Sequence, residues 1–411
     1  MQTRLAEFIR DTADGREADR ILRKCVHCGF CNATCPTYQL LGDELDGPRG
    51  RIYLIKQVLE GALPGGRTQL HLDRCLTCRS CESTCPSGVQ YGRLVDIGRK
   101  LVEQRVPRGS LAGFVRSVLC FVLPRTGLFS FLLGLGRLFR PLLPAQLKEK
   151  VPPRFGAAGA WPEPRHARRM LTLAGCVQPA IAPVINAAAA RVLDRLGISL
   201  VEAPGAGCCG AVRFHLNFQE AGRDDKRALI DAWWPMIERG EIEAIVMTAS
   251  GCGSTVREYA HFLAHDPAYA KKAQRIASMT RDLAEVLLTE ADRLPAIATG
   301  GPARRVAFQS PCSLQHAQQV RGAAETLLAR AGFDLVPVPD GHLCCGSAGT
   351  YSILQPELSR RLRDNKLAAL HSGEPDTVAT ANIGCLAHLA GATQTPVRHW
   401  IELLDERLAP Q

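Results

Sequence analysis

The sequence predicts an α+β protein: a small helical, cysteine-rich module at the N-terminus, then a duplicated α/β domain built on parallel sheets. Two observations carry this. Residues 25–36 and 75–86 both spell C-x2-C-x2-C-x3-C-P, with apolar residues at helical spacing between them (Ile52, Ile55, Val58, Leu59). Further on, RRMLTLAGC ending at Cys176 returns as RRVAFQSPC ending at Cys312. GAGCCG (Cys208, Cys209) returns as GHLCCG (Cys344, Cys345), and TASGC (Cys252) as ANIGC (Cys385). The first three offsets are 136 residues and the last is 133. A near-constant offset means duplication. The expected organisation is a cysteine-rich module over 1–110, an apolar basic connector over 111–164, and repeats over 165–290 and 300–405.

The chain has 411 residues, 46% hydrophobic and 22% charged, which is the composition of folded domains with buried cores. Its net charge of +10 comes from scattered arginines rather than a dense lysine tract with interleaved aromatics, so nucleic acid is not an expected partner. Seventeen cysteines are too many to be incidental. The first twenty residues are charged and lack the apolar run of a secretory signal. Reduced thiols in a cytoplasmic setting are the expectation, and clustered cysteines there bind metal or do redox chemistry.

The spacing of the first module has a chemical reason. Three thiolates two residues apart wrap one corner of a cubane, and the fourth, turned away by Pro36 or Pro86, reaches the other cluster. This places Cys25, Cys28, Cys31 and Cys85 on one [4Fe–4S] cluster of a ferredoxin-type pair, and Cys75, Cys78, Cys81 and Cys35 on the second. Gly29, Ala33, Ser80 and Ser83 are small enough to let the backbone approach. Zinc sites usually show paired C-x2-C elements with a longer spacer. Between the motifs Asp46-Gly47-Pro48 reads as a turn and the segment after it as a helix beneath the clusters. Arg49 and Arg51 stand there either to offset cluster charge or as solvated surface charges.

From Glu103 to Glu149 there is no acidic residue, while arginines punctuate apolar runs such as SVLCFVLP and LFSFLLGLG. Pro124, Arg125 and Pro141 break these runs short of the roughly 20 residues that cross a bilayer. Two expectations stand. Either the stretch lies at an anionic membrane surface or partner with its arginines at the headgroups, or it packs internally with the arginines reaching outward. Cys120 is expected to be a core thiol.

Each repeat alternates strand and helix. MLTLAG, ISLVEAP and EAIVMTAS read as strands, with helices through VINAAAARVLDRLG and RALIDAWWPMIERG. VAFQS, FDLVPVP and TVATAN repeat the order around AETLLARAG and LSRRLRDNKLAAL. Alternation of this kind implies a parallel sheet whose ligands gather at the carboxyl ends of its strands. The repeat cysteines follow those ends. Cys176, Cys208, Cys209 and Cys252 in one copy, and Cys312, Cys344, Cys345 and Cys385 in the other, are candidate ligands of one or two further clusters; buried thiols left by an ancestral site are the alternative. His316 and His342 read as ordinary polar side chains.

Paired ferredoxin motifs followed by two copies of Cys…Cys-Cys-Gly…Cys resemble the iron–sulfur subunits of membrane-associated 2-hydroxy-acid and glycerol-phosphate dehydrogenases. The Cys-Cys-Gly repeat also occurs in heterodisulfide reductases. The run CVHCGFCNATCPTYQLLGDELDGPRGRIYLIKQVLEG is especially similar to the glycolate oxidase iron–sulfur subunits. The resemblance spans essentially the whole chain. It implies a complex with FAD-containing subunits that oxidise glycolate to glyoxylate. Electrons would pass through this chain towards quinone, at the cytoplasmic face of the inner membrane. The fullest form of the repeat ends in C-x2-C; here Thr255 and His388 stand at the last position, so five thiolates are not present in either copy and His388 is a candidate fifth group. No catalytic residue is expected in this chain: it has no G-x-G-x-x-G after a strand, no P-loop lysine motif and no H-E-x-x-H. The second functional expectation is a Cys-Cys-Gly site that reduces a disulfide or quinone directly.

Overall fold

The computed structural model describes residues 1–142, 144, 148, 151–152, 155–294 and 304–408. Parts of the expected connector (143, 145–147, 149–150, 153–154) and of the join between the repeats (295–303) lie outside the described residues.

Among the described residues every strand follows residue 167, and the N-terminal module is helical. Its helix Ala13–Lys24 starts where Thr12 Oγ1 accepts the Gly15 N–H at 3.0 Å. Helix Pro48–Leu59 opens on a proline, whose missing N–H costs nothing in a first turn, and buries Ile52, Ile55, Val58 and Leu59. They pack on Leu94, Val95, Leu101 and Val102 of helix Tyr91–Arg105. At the crossing a Cβ on Gly98 would come within 2.6 Å of Ile55, so only glycine permits the contact.

The two repeats each form a four-stranded parallel sheet. β1 Arg168–Thr172, β2 Ile198–Glu202, β3 Ala244–Met247 and β4 Thr280–Asp282 run in the order β2-β1-β3-β4. β5 Arg305–Gln309, β6 Asp334–Val336, β7 Thr377–Thr380 and β8 Val397–His399 run as β6-β5-β7-β8. The sequence reading supplied three strands per repeat and missed β4 and β8. Each is three residues long with an arginine in the middle, too short for a period to register.

The repeats share one apolar core, and their contacts are reciprocal. Helix Val184–Asp194 of the first repeat packs on Trp400–Arg407 of the second, and its counterpart Ala323–Arg330 packs on Leu283–Thr289 of the first. Helix Ser250–Arg257 meets the turn Ser313–Ala317, and its counterpart Ile383–Ala390 meets Gln178–Ile181. Corresponding elements exchanged across one interface amount to a pseudo-twofold relation. Trp400, fully buried, sits in that shared core, whereas Trp233 fills the other face of the first sheet.

The connector folds as two helices, Ser110–Val122 and Thr126–Leu138, bent by 112° against each other. No single helix among the described residues is long and apolar enough to cross a membrane. Phe114, Phe121, Phe131 and Leu138 are exposed on this pair. The arginines divide. Arg108 and Arg116 turn inward to Asp73, at 2.6 and 3.1 Å, while Arg125 stays outside and lies over the Phe121 ring. Cys120, expected in the core, is only half-buried, on a helix whose one buried residue is Arg116.

Candidate iron–sulfur sites

Two neighbouring cavities lie inside the helical module. The first is lined by Cys25, Cys28, Cys31, Cys85 and Cys81. The second is lined by Cys35, Cys75, Cys78 and Cys81. Each motif's last cysteine therefore stands with the other motif's first three, and Cys81 and Tyr91 touch both cavities. Left-handed backbone at His27 and Gly29, and at Thr77 and Arg79, curls each C-x2-C-x2-C loop around its cavity.

Burial and mutual proximity set the electrostatics of these thiols. Burial, then the neighbouring Cys25 sulfur, pushes the Cys31 thiol up to about 11. Burial pushes Cys78 and Cys81 well above their ordinary value, with adjacent thiols adding to it. Such thiols do not ionise alone; they give up protons when iron takes the charge. Cys75 differs. Burial raises it, but the Arg51 and Arg99 guanidiniums outweigh burial and hold it below its ordinary value. Arg51 is 1% exposed, so the solvated reading fails for it: Nε donates to His71 O at 2.7 Å, and Nη2 meets Asp46 at 3.3 Å. Arg49 is half-exposed and pairs with Glu44 instead. Sequence reasoning missed Arg99, which donates to Leu72 O and Cys75 O, and Tyr91, whose hydroxyl lies 3.6 Å from Cys75 Sγ.

In the repeats the cysteines leave the carboxyl ends of successive strands: Cys176 after β1, the Cys-Cys pair after β2, Cys252 in the helix after β3. Strand order reverses direction here, which is where such sheets bind ligands. In the first repeat Cys208 Sγ lies 3.7 Å from Cys176 Sγ, and the Cys208 and Cys252 thiols both act on the Cys209 thiol. In the second Cys312 and Cys344 are 3.9 Å apart, and Cys345 links Cys344 to Cys385. All four sulfurs of each copy thus form one contiguous set. The glycine of each Cys-Cys-Gly is left-handed, and its N–H points at the first sulfur of the pair at 3.4 Å. A Cβ on Gly210 would sit 2.4 Å from Gly222 O, and one on Gly346 2.5 Å from Ser359 O, so both turns require glycine. His388 Nε2 meets Ser359 Oγ at 3.2 Å, and the Thr255 hydroxyl bonds to Gly251 O in its own helix.

The helical module touches the two repeats differently. Cys78 and Cys312 pack in one cluster with Leu76, Cys344 and Tyr351. Burial raises the Cys78 thiol first, and the nearby Cys312 thiol adds to it. His316 Nε2 meets His342 O at 2.9 Å and Nδ1 meets Ser83 Oγ, holding this junction. Towards the first repeat the contact is polar: Arg79 grips Glu258 with two bonds of 2.7 and 2.5 Å, and Gln219 donates to Asp96 O. Sequence reasoning also missed two buried lysines, Lys226 and Lys366. A signal was present: Lys226 shares a helix face with Leu229 and Ile230, and Lys366 with Leu362 and Leu370.

Comparison with known proteins agrees with this layout. Residues 21–89 match the 4Fe-4S dicluster domain family, and residues 170–257 and 306–390 each match the cysteine-rich CCG domain family. The chain is 56% identical over 408 residues to the glycolate oxidase iron–sulfur subunit of Escherichia coli K12, covering 99% of both chains. It is 30% identical to the probable glycolate oxidase iron–sulfur subunit of Bacillus subtilis 168, over 90% of this chain and 88% of that one. Lactate utilization protein A of Geobacillus kaustophilus is 26% identical over 54% of this chain and 92% of its own length.

Proposed function

The chain belongs to the glycolate oxidase iron–sulfur subunit family, and on that premise we propose that it takes electrons from a flavin in a partner subunit and passes them towards a membrane quinone. It is the iron–sulfur electron-transfer subunit of a multi-subunit, glycolate-oxidising complex and not itself the site of substrate oxidation. Bound to the cysteine sets, iron–sulfur clusters supply one-electron carriers that a two-electron flavin reaction needs downstream.

One observation carries the path. From an exposed cysteine to the second repeat, thiols follow one another without a break: Cys28 at the surface, the first cavity, Cys81 shared with the second cavity, then Cys78 against Cys312. In this reading Cys25, Cys28, Cys31 and Cys85 hold one [4Fe–4S] cluster and Cys35, Cys75, Cys78 and Cys81 the other. The repeat cysteines hold further clusters. The chain's own residues do the tuning: Arg51 and Arg99 offset thiolate charge, and Gly210 and Gly346 donate N–H bonds to sulfur.

The FAD-containing subunit docks where Val26 and Phe30, 69% and 62% exposed, flank Cys28. Large apolar side chains at a cluster's solvent edge favour a protein partner over water. The bent helix pair rests in the interface of the cytoplasmic leaflet, its phenylalanines inserted and Arg125 at the headgroups; the exposed apolar residues and the 112° bend favour shallow insertion over a span.

The test uses the assembled complex. In Cys28→Ala and Cys78→Ala variants, glycolate should still bleach the flavin absorbance, while quinone-linked turnover falls at least a hundredfold. Quinone-linked turnover at the native rate in both variants would refute the relay.

A further inference from the structure

Lys226 and Lys366 are buried lysines that contact no carboxylate directly, although Asp225 and Asp340 respectively stand in the wider surroundings. Lys226 is fully buried and Lys366 is 3% exposed. Neither makes an ion pair among the described residues. Lys226 Nζ donates to Gly222 O at 3.2 Å and lies 4.5 Å from the ring centres of both Phe214 and Phe262. Lys366 Nζ donates to Asp340 O and Gly341 O at 2.8 and 3.4 Å. Carbonyl oxygens and ring faces soften the cost of burying an ammonium, but burial stays costly unless an anion stands nearby.

Among the described residues, what the two lysines have in common is a Cys-Cys pair close by: Cys208 and Cys209 for Lys226, Cys344 and Cys345 for Lys366. A Cβ built on Gly210, the residue after Cys209, would come within 3.2 Å of Lys226 Nζ. Lys366 lines one cavity together with Cys344. The two lysines are not counterparts in the duplication. The side chain against Gly210 is Lys226, whereas that against Gly346 is Leu362, and Lys366 lies one helical turn further on. Each repeat brings an ammonium to its cysteine pair from its own position on the same helix. Inheritance alone does not produce that.

We propose that Lys226 and Lys366 are positioning residues whose ammonium groups offset the negative charge of a thiolate-ligated iron–sulfur cluster in the first and second repeat respectively, and thereby set its reduction potential. This rests on the reading that the repeats hold clusters. A fixed positive charge in a dry site favours the reduced, more negative state, so its removal makes the cluster harder to reduce.

The experiment compares the native complex with Lys226→Met and Lys366→Met, purified anaerobically, by iron and sulfide content and by EPR-monitored redox titration. Expected is native iron content with one signal shifted to lower potential in each variant, a different signal in each. The shift should reach about tenfold in the reduced-to-oxidised ratio at fixed potential, or about 59 mV for a one-electron couple. Unchanged potentials at native iron content would overturn the proposal. Should a methionine variant lose iron, Lys226→Arg and Lys366→Arg decide: retained iron supports a role for charge, and loss with arginine too overturns it. Failure of the underlying reading looks different, since the native chain itself would then carry only about eight irons, those of two cubanes.

Discussion

Ser83 Oγ lies 3.0 Å from His316 Nδ1, and this bond ties the second cysteine motif of the helical module to the turn that follows Cys312. Both residues stand two to four positions from cysteines of different sites, so the bond fixes their spacing.

A double-mutant cycle measures that tie. Ser83→Ala and His316→Ala should each destabilise the protein by about 1 kcal/mol, with a coupling of about 0.5–1.5 kcal/mol. Anaerobic urea unfolding of the two single variants and the double variant reads it. Strict additivity would mean that the contact contributes nothing.

Arg51 makes a second prediction. Its partner Asp46 is fully buried and also meets Arg74 and His71, at 2.7 and 3.0 Å. Arg51→Met leaves this carboxylate short of a charge and strips Cys75 of a guanidinium, so about 3 kcal/mol or more of stability should go, with half the module's iron. Lysine should not restore it, because one ammonium does not reproduce the fork that reaches His71 O, Thr37 Oγ1 and Asp46 together. Iron content and thermal unfolding of both variants check this.

The pH dependence of folding follows from His399. Burial pushes its pKa down to about 3. Nε2 bonds to Thr248 O at 3.0 Å, and Nδ1 accepts the Ile401 N–H at 3.3 Å, so both nitrogens are used by the neutral ring. The unfolded chain binds a proton near pH 6.5 and the folded chain does not. The contribution is therefore complete above pH 6.5 and declines as pH falls towards 3, by about 3 kcal/mol at pH 4. A His399→Asn variant should lose stability less steeply between pH 7 and 4; parallel curves for variant and native protein would exclude the assignment.

The helix pair is tested with vesicles. Replacing exposed Phe114 and Phe131 by glutamate should weaken binding to anionic liposomes by at least about tenfold, and leave glycolate-driven flavin reduction intact. Flotation assays at two salt concentrations separate the apolar from the electrostatic part. Undiminished flotation of the double variant would rule out insertion by this pair.

Much of this could be read from the chain before folding. The continuous apolar runs and period-3.6 patterns of the repeats announced three strands and two helices per copy, since buried parallel strands such as Ala244–Met247 are apolar throughout. Local spacing likewise states which cysteines belong to one motif. What it does not state is which sets become neighbours. That Cys78 meets Cys312 and no repeat-one cysteine depends on how Leu76, Tyr351 and Leu358 pack, and side-chain packing across 230 residues leaves no local pattern. The inward turn of Arg108 and Arg116 was hidden for a similar reason: their partner Asp73 lies outside the acid-free stretch.

The reciprocal packing of the two repeats has a historical consequence. Helix Val184–Asp194 against Trp400–Arg407, mirrored by Ala323–Arg330 against Leu283–Thr289, is the contact pattern of a symmetric homodimer. Held in one chain, the two halves of such a pair are encoded separately and mutate independently. One copy was free to take the helical module at its cysteines, the other to meet it through Arg79 and Glu258, and a symmetric pair became a directional one.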